Sequence, residues 1–229
     1  AGAIALRALR ADDPERLDAD GIGLTTALSA INVDHGLRAA DVGDEPRTVL
    51  GPLGGAALWR RIALERAGSF ATHFFLYWED MDVALRLARA GYECRTAPTA
   101  RVLHEGSGIV GRWSRTNVHY MLRNHWPCLL GALPGRTLAR HLPALLVAPV
   151  RAAVLYALRG LPLVALAGLA AGALRSPAAI LRRRHLNRTG SGRHLATLLV
   201  SLMADADASR KRMREAGLRG ARLGSDSAP

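Results

Sequence analysis

The clearest periodicity in the chain begins at Met81. Met81, Ala84, Leu85 and Ala88 recur at i, i+3, i+4 and i+7, the spacing of one helical face, and Gly91 stands where such a helix would stop. The run Phe74-Phe75-Leu76-Tyr77-Trp78 precedes it and reads as buried, with Glu79, Asp80 and Asp82 at the junction. Upstream, residues 1–10 read as a short strand or a helix end, and Asp12-Asp13-Pro14-Glu15 as a turn. Residues 25–50 read as loops and short strands. Gly51-Pro52 and Gly54-Gly55 close the run Thr48-Val49-Leu50, and the pattern then predicts an amphipathic helix over residues 56–66, ended by Gly68. Downstream, residues 93–97 and 100–103 read as two strands parted by Pro98, the second ending at His104. Residues 105–114 form a Gly/Ser loop with Trp113, and residues 117–126 a helix carrying Tyr120, Arg123 and Asn124.

The pattern changes at residue 138. Residues 138–174 are strongly apolar, broken by Arg140, His141, Arg151, Arg159 and three prolines. The longest charge-free run, residues 160–174, is about fifteen residues, short of the ~20 that span a bilayer. Arg136, Arg140, His141, Arg151 and Arg159 fall within an arc of roughly 140° at ~100° per residue. This predicts helices lying in the membrane plane, kinked at the prolines, with Arg182-Arg183-Arg184 facing anionic head groups. Packing of the same helices on the preceding domain is the alternative. Thr189-Gly190-Ser191-Gly192 reads as a linker, and Leu195, Leu198, Leu199, Leu202 and Met203 mark an amphipathic helix to about Ala204. The basic remainder, from Arg210-Lys211-Arg212 to Pro229, reads as disordered. The predicted division is therefore 1–134, 135–186 and 187–229.

Composition refines this picture. An apolar fraction of 49% supports a core, and the net charge is +12 with Lys211 as the only lysine. A basic surface suits anionic lipid heads, sugar-nucleotide phosphates or nucleic acid. Cys94 and Cys128 have neither metal spacing nor the look of a disulfide framework. The start is no signal peptide, because Arg7 and Arg10 interrupt a short apolar run.

Two readings of Glu79, Asp80 and Asp82 stand on spacing alone. Carboxylates at a helix start cap orphan N–H groups and match the helix dipole, and Asp82 can pair with Arg86 at i+4. A carboxylate at the edge of an aromatic wall can instead act as a general base. Likewise Gly54-Gly55 is either a tight turn or a place where backbone N–H groups approach an anion.

Phe74 to Asp82, with Arg86, resembles the FF-x-Y-x-E-D-x-D-x-x-x-R signature of family 2 glycosyltransferases of the GT-A fold, most similar to rhamnosyltransferase-like members. The resemblance extends to residues 51–61, 98–104 and 120–124, in the family's order. It implies an α/β fold representing the C-terminal, acceptor-side part of a GT-A domain. It also implies an upstream nucleotide-binding half, without which this stretch alone is expected to bind nucleotide poorly. Asp80 takes the catalytic base's place. Trp78, Glu79, Gly54 and Gly55 would line the acceptor site, Arg123 would contact phosphate, and His104 would be a ligand of a divalent cation, Mg2+ or Mn2+. The loop at residues 105–114 would close over the donor as a lid.

Asp18 and Asp20 also form a D-x-D, the metal triplet of GT-A enzymes. They are read here as loop acids in a turn, because the metal triplet follows an apolar strand much further from Asp80. The implied activity is inverting transfer from a nucleotide-sugar to a polyprenyl-diphosphate-linked glycan in cell-envelope polysaccharide synthesis. Its place would be the cytoplasmic face of the membrane, as a peripheral or monotopic protein with no nucleic-acid partner. The competing class is a non-catalytic basic protein bound to membrane or nucleic acid, against which stands the absence of a recognised nucleic-acid motif.

Overall fold

A computed structural model describes residues 1–106, 111, 113–189 and 192–217. Its elements are β1 (Ala3–Arg10), β2 (Leu17–Ala19), β3 (Ile22–Leu24), β4 (Ala30–Asn32), α1 (Ala39–Val42), β5 (Thr48–Val49), β6 (Ala57–Trp59), α2 (Arg61–Ala67), α3 (Glu79–Arg89), β7 (Cys94–His104), α4 (Arg115–Ala132), α5 (Gly135–Arg140), α6 (Leu142–Ala157), α7 (Pro162–Thr189) and α8 (Gly192–Glu215). The expected α/β class is present. The main sheet runs β2-β1-β7-β5, with β6 pairing the first residues of β1. β1 and β7 are parallel and the other pairs antiparallel.

Helix α3 lies at the centre and is buried on more than the one predicted face. Met81, Leu85 and Ala88 pack with Phe74, Trp78, Leu129 and the α8 residues Leu195, Leu199 and Leu202. Val83 and Leu87 pack toward the sheet on Ala3, Ala5 and Cys94, and on Ala63 of α2. A helix apolar on two sides belongs inside a layered fold rather than on its surface.

Four local expectations are corrected. The predicted helix over residues 56–66 is a strand, β6, followed by the shorter α2, because Ala57, Leu58 and Trp59 pair with the start of β1. The two strands around Pro98 are one, β7, whose register to β1 slips between Leu6 and Arg7. Proline cannot donate to the ladder, so the slip falls at the irregularity it imposes. Asp18 and Asp20 are not turn acids but buried residues, Asp18 within β2 and Asp20 just after it. Helix α8 runs eleven residues beyond Ala204, to Glu215, and carries Arg210-Lys211-Arg212 that the sequence assigned to a tail. Its Ala206, Ser209 and Met213 are buried. The predicted linker residues Gly190 and Ser191, and residues 218–229 of the predicted tail, lie outside the described residues.

Helices α6 and α7 pack on α4, and α5 packs on α6. Gly168 and Gly172 of α7 meet the backbone of His119, Leu122 and Arg123, so this G-x-x-x-G lets two helix backbones touch. Within α7 the stretch Pro162–Arg184, 23 residues, is long and apolar enough to cross a bilayer by length and composition. The charge-free run underrated it, since the helix continues past Arg175.

A Cβ at Gly168 would lie 2.9 Å from the His119 carbonyl oxygen and 3.0 Å from Leu122 Cβ. Gly168→Val should therefore push α7 off α4 and destabilise the chain by about 1–3 kcal/mol, while Ala167→Val on the exposed side should stay within about 0.5 kcal/mol. Urea melts of the two variants check this, and equal midpoints would contradict the close packing.

Candidate active site

The loop that leads into α3 is held in an unusual shape. Phe75, Tyr77 and Trp78 have φ of 62°, 60° and 72°, the left-handed region that costs a non-glycine residue energy. Two neighbours on α4 hold it there. The Asn124 side-chain amide donates to the carbonyls of Phe74, Leu76 and Tyr77 at 2.8–3.0 Å. Arg123 donates to the carbonyls of His73 at 2.9 Å and Phe74 at 3.2 Å. The Trp78 indole N–H donates to the Met121 carbonyl at 3.1 Å. Arg123 is buried, its guanidinium is turned to this loop, and it does not line the cavity described next, so the structure does not place it for phosphate contact.

The loop delivers Trp78, Glu79 and Asp80 to one wall of a cavity of about 220 Å³. Gly54, Gly55 and His104 line the same cavity, so six of the seven sequence-predicted site residues come together there. Asp80 is half-buried. Its Oδ1 accepts from the Met81 N–H at 2.7 Å and its Oδ2 from the Gly54 N–H at 3.3 Å. Asp80 therefore satisfies one orphan donor of α3, as the capping reading holds, while it stays at the cavity. Burial raises the Asp80 pKa, outweighing the N–H bonds that lower it. Burial and the neighbouring Asp80 charge push Glu79 up to about 7. Glu79 Oε2 and Asn32 Oδ1 are buried without a hydrogen-bond partner, and both residues line the cavity. Unmet acceptors of this kind suit a ligand rich in hydroxyl donors.

Across the cavity, His104 shares a carboxylate with His35. Asp18 Oδ2 lies 2.7 Å from His104 Nδ1, and Asp18 Oδ1 lies 3.3 Å from His35 Nδ1. The two imidazoles hold Asp18 well below the usual carboxylate range despite its burial, and Asp18 raises His104. With Nδ1 committed to Asp18, His104 leaves Nε2 toward the glycine turn, 3.6 Å from where a Gly55 Cβ would stand. A Cβ on Gly54 would stand 3.7 Å from Glu79 Oε1 and 3.8 Å from Asp80 Oδ2. The two glycines thus lie between the carboxylates and the imidazole. An imidazole oriented by a carboxylate is a common form of metal ligand. Among the described residues, however, no group of three or more His, Cys, Asp or Glu side chains is placed to hold a metal ion. His104 alone does not make a cation site.

Sequence reasoning missed Asp18, His35, Asn32 and the clamping role of Asn124. The D-x-D spacing points to Asp18 and the resemblance over residues 120–124 takes in Asn124, though not its clamping role; nothing local in the sequence marks His35 or Asn32. The predicted lid residues Ser107 to Val110 and Arg112 lie outside the described residues. Trp113, in the same loop, packs its ring 3.6 Å from the Arg159 guanidinium carbon and edge-on to Tyr156.

Two variants test this geometry. Asn124→Ala leaves the buried Phe74 carbonyl and its loop partners short of a donor and should cost about 1–3 kcal/mol in a denaturant titration. Glu79 is the more selective probe. An acid titrating near 7 in the fold and near its ordinary 4.5 when unfolded binds more protons in the native state, so stability falls as pH rises through that interval. Glu79→Gln should raise the melting temperature relative to the parent at pH 8 and leave it unchanged at pH 4. A pH-independent difference would contradict the raised pKa.

A stretch of 59 residues, 26% of this chain, is 39% identical to N-acetylglucosaminyl-diphospho-decaprenol L-rhamnosyltransferase from Mycobacterium tuberculosis, in strains CDC 1551 / Oshkosh and ATCC 25618 / H37Rv alike. The match takes in 19% of the length of those relatives, well under two thirds. The model of one family, described as glycosyl transferase family group 2, matches residues 25–203, a span that holds Asp80, the Gly54-Gly55 turn and His104. By that match, which covers most of its length, the chain belongs to glycosyl transferase family group 2.

Proposed function

We propose that this chain forms the acceptor side of an inverting glycosyltransferase of the GT-A type, and that Asp80 is its general base. The observation that carries the reading is the Asp80 carboxylate. It is fixed by two backbone N–H groups at the edge of a cavity that also holds two unmet acceptors, on Glu79 and Asn32, and an oriented imidazole. In the proposed reaction an acceptor hydroxyl sits between Asp80 and Glu79. Asp80 takes its proton as the oxygen attacks the anomeric carbon of a nucleotide-sugar, and the nucleotide diphosphate leaves from the opposite face in a single displacement. The raised pKa makes Asp80 a stronger base than a solvated carboxylate while leaving it ionised above its own pKa. Trp78 and Glu79 bound the acceptor site, and Gly54 and Gly55 leave room for it. If a divalent cation, Mg2+ or Mn2+, takes part, His104 Nε2 is the donor this chain offers, and its remaining ligands come from outside the described residues.

The relatives' name places a lipid-linked sugar, N-acetylglucosaminyl-diphospho-decaprenol, as the acceptor of those enzymes. We carry over the class alone: a glycan on a polyprenyl diphosphate, extended in cell-envelope polysaccharide synthesis. Such an acceptor is confined to a membrane. The outward faces of α6 and α7 support a peripheral position at the cytoplasmic leaflet, because Leu146, Val147, Val150, Leu163, Leu166 and Leu174 are exposed along them.

The test is sugar transfer to a lipid-linked glycan by the longest natural form of the protein. Asp80→Asn should lower the rate roughly 10²–10⁴-fold, the usual scale of general-base catalysis. In the parent the rate should fall on the acid side as Asp80 protonates, with that limb displaced toward neutral pH by the raised pKa. Equal rates for parent and variant would remove Asp80 from the mechanism.

A further inference from the structure

A second, smaller cavity of about 80 Å³ opens in the cleft between α4 and α6. It shares Ala30, Trp78 and Met121 with the carboxylate cavity, so one wall serves both. The remaining lining is mostly apolar, from Leu122, Pro149, Ala152 and Tyr156. His125, the imidazole of this slot, is uncharged near neutral pH, because burial pulls its pKa down to about 4. Its Nε2 is engaged with the Leu28 carbonyl at 3.1 Å. Among the residues lining the slot only Arg151 carries a formal charge, and it is exposed. Arg210 of α8 lies near Arg151, and burial first, then the charges of Arg214 and Arg151, lower its pKa against the opposing charge of Asp207. Beyond Arg151 the surface of α6 continues apolar through Val147, Val150 and Val154.

We propose that this slot seats the lipid of the acceptor: the polyprenyl segment nearest the diphosphate lies between α4 and α6, the diphosphate meets Arg151, and the sugar lies past Trp78 in the carboxylate cavity. The proposal rests on the acceptor class argued above. Three observations select this occupant. The walls are uncharged and apolar, which favours an aliphatic chain. The one cation at the mouth complements a diphosphate, whose oxygens match a guanidinium fork. The shared wall with the carboxylate cavity calls for a molecule that is apolar at one end and sugar at the other. A phospholipid acyl chain meets the first demand but carries no sugar to the third.

The probe is a farnesyl diphosphate analogue with a diazirine in its first isoprene unit, irradiated with the full 229-residue chain in neutral detergent and mapped by mass spectrometry. Labels are expected on Met121, Ala152 and Tyr156. Ala152→Trp, which fills the slot, should cut labelling roughly tenfold, about the effect of losing 1.4 kcal/mol of binding. Arg151→Glu should cut labelling by the diphosphate probe but not by its uncharged farnesol counterpart. Arg151 is exposed, so this second comparison stands even if the tryptophan variant fails to fold. Labels scattered over the outer faces of α6 and α7 would overturn the proposal. So would labelling that neither variant changes, or equal competition by phosphatidylglycerol. Labelling does not require transfer: a chain labelled in the slot yet inactive toward lipid-linked glycans counts against the reaction, and an active enzyme labelled elsewhere counts against the slot.

Discussion

Asp80 reaches the cavity because a single side-chain amide, that of Asn124, holds the carbonyls of Phe74, Leu76 and Tyr77. Three non-glycine residues in the left-handed region within that short loop cost about 1–2 kcal/mol each. Net hydrogen bonds of about 1 kcal/mol apiece offset part of that cost. Burial of Phe74, with no exposed surface, and of Trp78 supplies the rest. The loop shape then sets the phase of α3. Two residues apart on a helix is about 200° of rotation, so Asp80 and Asp82 must point in nearly opposite directions. One carboxylate faces the cavity, and the other is wholly buried. An aspartate-x-aspartate pair at a helix start therefore divides into one residue at the cavity and one inside the fold.

Buried acids also fasten the C-terminal helices to the sheet domain. Asp82 is bridged by Arg86 at 2.8 Å and by Arg182 of α7 at 2.6 Å. Arg86 in turn donates to the Ala67 carbonyl at the end of α2. Asp34, also fully buried, is bridged by Arg47 and, at 2.7 Å, by Arg212 of α8. Removing one partner from such a cluster leaves an uncompensated charge inside the protein, which is far costlier than the pair is stabilising. Part of the chain's large excess of arginine is thus directed inward, at acids that the fold excludes from water. Net charge in the sequence overstates how much of that arginine is free to meet a membrane or a polyanion.

What the sequence made legible follows from how local each signal is. The α3 face, the junction of aromatics and acids, and the Gly54-Gly55 break are all short-range patterns, and each is where the pattern placed it. His104 was legible through the resemblance, by its place after the Glu-Asp pair, and it closes β7. Asp18 was not, because its role depends on two histidines brought to it by β7 and by the turn after β4. Ala57 to Trp59 read as helix because helical spacing there was not contradicted until the start of β1 offered a ladder. The length of α8 was hidden for a similar reason. Its last turns are basic and look like a tail, and only Asp34, far away in sequence, gives Arg212 a reason to be ordered.

The same contacts constrain how α7 can meet a bilayer, even though its length and composition would permit a crossing. Gly168 rests on His119, Gly172 on Arg123, and Arg182 on Gly131 and Asp82, so α7 runs alongside and parallel to α4 over most of its length. An α7 that crossed the hydrocarbon would carry α4 with it. α4 holds Arg123 and Asn124, whose donors are committed to the loop before Asp80. Submerging them would place a guanidinium and the strained loop in lipid, a cost of several kcal/mol. Lying flat would avoid this: on the function proposed above, the exposed leucines and valines of α6 and α7 would meet the acyl region, with the carboxylate cavity at the level of the head groups. On that proposal a lipid-linked sugar would project to the same level, so the helix packing that holds the loop before Asp80 would also set the depth at which the acceptor is met.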